Sequence, residues 1–208
     1  MYGGLKRLKS HYPEGNTTKQ AAALLGLAGL ENVQHINEKI LKKDGVQGMS
    51  TFYGYYILEA MAKAKDYNGA LNIIRNYWGA MLDLGATTFW EDFNIMDIKN
   101  SSRIDELIPK DKDDIHGGFG GYCYVGYRKS LCHGWASGPT PWLSQYVLGI
   151  TLLNGGNAVK IDPHLGNLSY AKGTFPTKYG LIKVHHTKST SREIISQIDV
   201  PKEIEIIP

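Results

Sequence analysis

The chain has 208 residues, with 23 Lys and Arg against 20 Asp and Glu and a formal charge of +3. With 42% hydrophobic and 21% charged residues it has the material for a packed core, and it lacks the low-hydrophobicity, high-charge signature of disorder. The small net charge and the lack of any Lys/Arg block exclude a phosphate-tracking nucleic-acid surface. The longest apolar stretch, Ala21 to Leu30, carries two glycines and falls short of the roughly 18 residues of a membrane span. No signal peptide is visible, because the start, MYGGLKRLKSHYPEG, has no apolar region. Two cysteines, Cys123 and Cys132, make no disulfide framework.

Five helices are expected first. Thr17 or Thr18 caps a helix whose apolar residues are Leu24, Leu25, Leu27 and Ala28, with Gly29 as its stop. Val33, Ile36 and Ile40 keep helical spacing, followed by Lys39, Lys42 and Lys43 where the macrodipole favours cations. Ser50 or Thr51 opens a third helix with Tyr53, Ile57, Ala60, Met61 and Ala64 on one face. After Asp66, the residues Tyr67, Leu71, Ile74, Trp78 and Met81 mark a fourth. Short links between helices of this length predict antiparallel hairpins. Gly85 to Gly138 has little helical period and is dense in Gly, Asp, Lys and aromatics, the texture of a binding or active-site loop. Leu143, Tyr146, Val147 and Ile150 restore helical spacing, in a helix entered through Pro139 and Pro141.

The composition shifts at Asn154-Gly155-Gly156-Asn157. Beyond it, β-branched residues alternate with turn signals at Asp162-Pro163, Gly166-Asn167, Gly173, Pro176 and Tyr179-Gly180. Leu181 to His185, Glu193 to Val200 and Lys202 to Ile207 read as strands of an antiparallel domain over 154–208. A β unit of this length is near the lower limit for folding alone.

Three segments concentrate ionisable groups, glycine and tryptophan. In LGATTFWEDF, Glu91 and Asp92 follow Phe89 and Trp90 directly after a helix end. A carboxylate beside an indole face suits sugar chemistry, the ring stacking on C–H faces while the acid handles a proton. The same pattern fits a helix-capping acid beside core aromatics. In SLCHGWASGPTPWL, His133 sits two residues before Trp135 in a tightly bent stretch, either lining a site or packed in a loop. Between them, Asp113, Asp114, His116 and Cys123 invite a metal reading. The spacing opposes it: there is no C-x-x-C or H-x₃-H pair, and the aspartates miss the calcium-loop pattern. A solvated, glycine-hinged loop is expected there. His11, His35, His164, His185 and His186 have no sequence partner and read as structural or solvent-facing.

GATTFWEDF followed by SLCHGWASGPTPWLSQYVLGI resembles the catalytic domain of bacterial α-L-rhamnosidases of glycoside hydrolase family 78. Ile161-Asp162-Pro163, LSYAKGTFPTKYGLIKV and VPKEIEIIP resemble the small β-sandwich that follows that domain. The resemblance implies a mainly α fold with a β appendage: residues 1–153 as the C-terminal portion of an (α/α)₆ six-hairpin barrel, and 154–208 as a small antiparallel β-sandwich. It implies inverting removal of terminal L-rhamnose, with Glu91 as general base and His133 lining the sugar subsite. Trp90 and Trp135 match the motif aromatics. It calls for no metal and no cofactor, and for an L-rhamnose-containing oligosaccharide or glycoside as partner, with no nucleic acid and no membrane. Glu14, Glu31, Glu38 and Glu59 sit outside any motif that would supply the general acid, so the chain reads as one half of a catalytic pair. Five helices in place of twelve imply exposed apolar faces, and hence self-association or a companion chain. A non-catalytic carbohydrate-binding or structural fragment of a degenerate barrel is the alternative.

Overall fold

The computed structural model describes residues 17–115 and 129–207, together with the backbone of two short paired strands, β1 (Gly118–Phe119) and β2 (Val125–Gly126). His11, His116 and Cys123 lie outside the described residues. The chain divides into two compact units between Gly138 and Pro139, upstream of the composition shift at Asn154.

In the first unit, α1 (Lys19–Leu27), α2 (Val33–Ile36), α3 (Thr51–Lys63), α4 (Tyr67–Ile73) and α5 (Gly79–Asp83) follow one another through short links. A π turn over Asn37–Leu41 prolongs α2, and another over Ile74–Trp78 joins α4 to α5. The starts are where capping chemistry puts them. Thr18, Ser50 and Asp66 each accept a backbone N–H of the first turn, from Ala21, Tyr53 and Gly69. At the other end of α1, Gly29 takes φ +71°, and Lys63 of α3 donates to the orphan carbonyls of Gly26 and Leu27 at 3.0 Å each.

The buried face of α1 differs from the expected leucine stripe. Ala22, Ala23 and Gly26 face inward and Leu24 is exposed. Small residues win because the neighbouring chain passes close: a Cβ on Gly26 would stand 3.2 Å from Val33 Cγ2 and 3.3 Å from Ile36 Cδ1. Tyr53 is likewise exposed, and α3 turns Gly54, Ile57, Leu58 and Met61 inward instead. Gly54 lets Trp78 lie against the helix, Trp78 Nε1 donating to Ala136 O at 2.9 Å.

The segment after α5 is tied to the unit by backbone hydrogen bonds although residues 105–111 are exposed, and most of the run expected to be a solvated loop lies outside the described residues. Ile104 N donates to Leu84 O, Ser102 N to Asp113 O, and Asp113 N to Asn100 O, at 2.9–3.0 Å; Ile115 is fully buried. Among the described residues, no helix is long and apolar enough to cross a membrane.

The second unit opens with α6 (Pro139–Trp142) and a π turn over Leu143–Val147. The helix stops earlier than the spacing predicted, because Gly149 takes φ +72° and Ile150 begins a strand. Strands β3 (Ile150–Leu153), β4 (Ala158–Ile161) and β8 (Glu205–Ile207) form one sheet in the order β3-β4-β8. Strands β5 (Tyr170–Thr177), β6 (Gly180–Lys188) and β7 (Ile194–Asp199) form an antiparallel meander. The expectation of a wholly antiparallel domain is corrected at one pair: β8 runs parallel to β4, Val159 opposite Ile206. Between these strands the chain traverses the other sheet, so it returns by a crossover and is not bound to hairpin polarity. Ile150, Val159, Ile182, Val184 and Ile204 form one cluster drawing on both sheets. Period-two alternation puts Ile182, Val184 and His186 on the buried side of β6 and leaves Lys183 exposed.

His186 is structural. It is fully buried, with Nε2 3.0 Å from Leu148 O and Nδ1 2.7 Å from Ser196 Oγ. A carbonyl only accepts, so Nε2 carries the proton, and the Ser196 hydroxyl donates to Nδ1.

Candidate functional site

The site is built in the first unit where two irregular segments run side by side in opposite directions. Leu84 ends α5, and Gly85 takes φ +88° as the chain turns away. Residues 88–91 then lie along 130–133. His133 N donates to Phe89 O at 2.8 Å and Glu91 N to Ser130 O at 2.9 Å, while Thr88 Oγ1 donates to Leu131 O. The two motifs singled out in sequence thus meet by backbone pairing, although neither is regular strand.

This pairing fixes Glu91. Its side chain is about nine-tenths buried, and Oε2 accepts the Ser130 N–H at 2.9 Å. Its carbonyl oxygen accepts Trp135 Nε1 at 2.9 Å and the Thr51 hydroxyl. A carboxylate so held keeps one orientation. His133 Nδ1 stands 3.9 Å from Glu91 Oε2, an ion pair when the imidazole is protonated but beyond hydrogen-bond length. The imidazole stacks on Trp135, ring centroids 4.1 Å apart and planes inclined by 40°.

Trp90 is placed otherwise. It is 0% exposed and packs on Phe93 at 5.8 Å between centroids. Tyr77 lies behind Phe93 and donates its hydroxyl to Phe93 O at 2.5 Å. The structure therefore brings Glu91, His133 and Trp135 together and turns Trp90 into the core beneath them.

A cleft of about 190 Å³ opens beside Glu91, lined by Ser50, Thr51, Phe52, Tyr53, Glu91, Asp92 and Trp135. Phe52, Tyr53 and Trp135 are 39%, 39% and 44% exposed. Their rings are inclined to each other: Phe52 lies 5.5 Å from Trp135 at 50° and 4.8 Å from Tyr53 at 69°. The sequence reading missed this contribution of α3, having placed Tyr53 on the packed face. A signal was present, since Phe52, Tyr53, Tyr55 and Tyr56 crowd more aromatics into one turn than a single buried face accommodates. Electrostatically the neighbourhood is acidic. Burial pushes the Lys129 ammonium below its usual pKa, against the opposing pull of Asp92, Asp97 and Glu91, and burial raises the Asp97 carboxyl. Among the described residues, no group of three metal-ligating side chains comes together.

What this arrangement offers is a held carboxylate, a second carboxylate and an imidazole at the edge of an aromatic-walled cleft, suited to moving a proton beside a neutral, partly apolar molecule.

No protein-family model matches the sequence, and no curated protein does. Solved structures do match. A family GH78 rhamnosidase of Bacillus sp. GL1 is similar over 91% of this chain and 18% of its own, with 24% identity and a TM-score of 0.68. An α-L-rhamnosidase from Aspergillus terreus is similar over 98% of this chain and 24% of its own, with 16% identity and a TM-score of 0.73. An α-L-rhamnosidase from Dictyoglumus thermophilum is similar over 91% and 20%, with 20% identity and a TM-score of 0.66. The chain therefore has the fold of one part of these α-L-rhamnosidases, and spans between 18% and 24% of their length.

Proposed function

We propose that the chain is part of a glycoside hydrolase of α-L-rhamnosidase type that inverts the anomeric centre, its helices being a portion of a six-hairpin barrel and its β unit the sandwich that follows. The observation that carries this reading is the meeting of Glu91 and His133 within 3.9 Å beside Trp135. The chain that does this shares its fold with solved rhamnosidases.

In the proposed reaction, Glu91 takes a proton from water as the water oxygen bonds to the anomeric carbon. The glycosidic bond breaks on the opposite face, its oxygen accepting a proton from a general acid roughly 6.5–9.5 Å from the base. Ser130 N–H holds Glu91 Oε2 and keeps the carboxylate in place for the attack. His133 hydrogen-bonds a sugar hydroxyl, and the Trp135 face meets the apolar C–H side of the 6-deoxy sugar. Trp90 contributes as a buried support. The general acid lies outside the matched motifs, and without one catalysis falls by a factor of about 10²–10⁴. Another part of the six-hairpin barrel would supply it.

The test is L-rhamnose titration followed by the imidazole resonances of His133, together with nitrophenol release from 4-nitrophenyl α-L-rhamnopyranoside. The expected result is saturable binding of L-rhamnose, with any turnover abolished by Glu91→Gln. No binding and no turnover would refute the reading. Binding without turnover would favour the second reading, a sugar-binding or structural fragment of a degenerate barrel.

A further inference from the structure

We infer that the outer face of the β5-β6-β7 meander is a binding site for a sugar that carries a carboxylate, a uronate unit of a glycan. The inference rests on the proposed glycosidase reading for one choice, a sugar as the carrier of the carboxylate. It adds a second ligand site, in the β unit, and a ligand class, acidic glycans.

A trough of about 370 Å³ crosses this face, within the range of small-molecule sites, which begins at roughly 300 Å³. Strand register builds it. Gly173, Val184 and Ile198 are partners across the three strands; pleating turns the Val184 and Ile198 side chains to the other face, so this row makes a backbone floor. The rows on either side point outward. Lys172, His185 and Gln197 form one wall, and Thr174, Lys183 and Asp199 the other. Walls two residues apart along a strand stand roughly 7 Å apart between Cα atoms, and three strands give each a length of roughly 10 Å, enough for one pyranose ring lying on the floor. Charge chooses the ligand. Lys183 is neutralised by Asp199 at 2.9 Å. Lys172 makes no ion pair or hydrogen bond among the described residues, so its exposed ammonium leaves the first wall with a cation to spare. Beside it stand the His185 imidazole, met edge-on by Tyr170 at 6.4 Å between centroids, and the Gln197 amide. Ammonium, imidazole N–H and amide NH₂ in one line are donors for a carboxylate. The opposite wall, a hydroxyl beside an ion pair, supplies the donors and acceptors that sugar hydroxyls need. Among the described residues no aromatic ring lines the trough, so a neutral sugar finds no stacking face there. An acidic peptide is disfavoured as well: the central strand, β6, is paired on both sides, and the trough runs across the strands, where no edge is free for strand addition.

The test follows backbone amide resonances of the full, isotope-labelled chain during titration with methyl β-D-glucuronide, methyl β-D-glucoside and acetate, for the natural chain and for Lys172→Gln. Lys172 is exposed, so the exchange leaves the fold intact. The expected result is saturable displacement of the Lys172, His185 and Gln197 amides by the glucuronide, which should bind about fivefold more tightly than either the glucoside or acetate. Lys172→Gln should bring glucuronide and glucoside to within about twofold of one another. Equal constants for glucuronide and glucoside overturn the role of the carboxylate, and equal constants for glucuronide and acetate overturn that of the sugar. A glucuronide preference that survives Lys172→Gln, or no saturation by any probe, overturns the site. L-rhamnose added to the same sample separates the two proposals. Displacement of the His133 resonances by L-rhamnose, with none in β5, β6 and β7 by the glucuronide, overturns the site and leaves the rhamnosidase reading intact. The converse result supports the site and refutes that reading.

Discussion

Gly54→Ala sets two effects of known size against each other. In an exposed helix interior the exchange stabilises by about 1 kcal/mol, because glycine is the poorest ordinary helix former. Here the new methyl would stand 2.6 Å from Trp78 Cη2, 3.0 Å from Cζ2 and 3.4 Å from Met49 Cε. The indole has little freedom to retreat. It is buried, packs edge-on against Tyr77 at 5.1 Å between centroids, and donates to Ala136 O at 2.9 Å. Overpacking costs about 1–3 kcal/mol, and a ring displaced far enough to lose its hydrogen bond adds about 1 kcal/mol. The costs exceed the propensity gain, leaving about 1–3 kcal/mol of net destabilisation, or several degrees in melting temperature at about 2–4 °C per kcal/mol. Ala136 follows Trp135, so a displaced Trp78 also disturbs the wall of the cleft, and Trp near-UV dichroism should change along with the melt. The assay is thermal unfolding of both proteins followed by near-UV and far-UV dichroism. An unchanged or raised melting temperature would show that helix propensity outweighs packing here and would refute the close approach of Trp78 to α3.

His186 predicts an acid-sensitive β unit. Burial lowers its pKa below 6.5, with the hydrogen bond to Leu148 O opposing and His185 reinforcing. The unfolded chain therefore binds the proton more readily than the folded one. The stabilisation is fully present above about pH 6.5 and is lost as the pH falls toward the folded value. Urea midpoints at pH 7.5 and 5.5 should differ for the natural chain and converge for His186→Gln; a pH-independent midpoint would refute the buried neutral imidazole. Gly149→Ala should be more damaging than Gly54→Ala. It places a Cβ 2.4 Å from the backbone of Asp162 and Pro163 at φ +72°, where no rotamer change gives relief, and a loss exceeding about 2 kcal/mol is expected in the same melts. An alanine variant as stable as the natural chain would refute that turn.

Much of the local structure is legible from residue chemistry. Thr18, Ser50 and Asp66 start helices because their side chains accept orphan N–H groups, and β-branched residues with flanking turn signals mark β6 and β7. The TTFWE and CHGW segments come together at Glu91, His133 and Trp135. Such signals act over a few residues, and the sequence displays them directly. Other features depend on who the neighbour is. Which side of α1 is buried follows from the close approach of Val33 and Ile36 to Gly26, so hydrophobicity alone picks the wrong stripe. The parallel pairing of β8 with β4 depends on the path of an intervening sheet. Trp90 and Trp135 are both tryptophans of the two motifs, yet one is sealed in the core and the other stands at a cleft. The wall opposite Trp135 comes from the first turn of α3, about forty positions away from Glu91 in the chain. The residue types that can carry chemistry were thus set by sequence. Which of them face a shared space was decided by packing, because burial is a property of contacts between distant segments and a linear pattern records only one side of each contact.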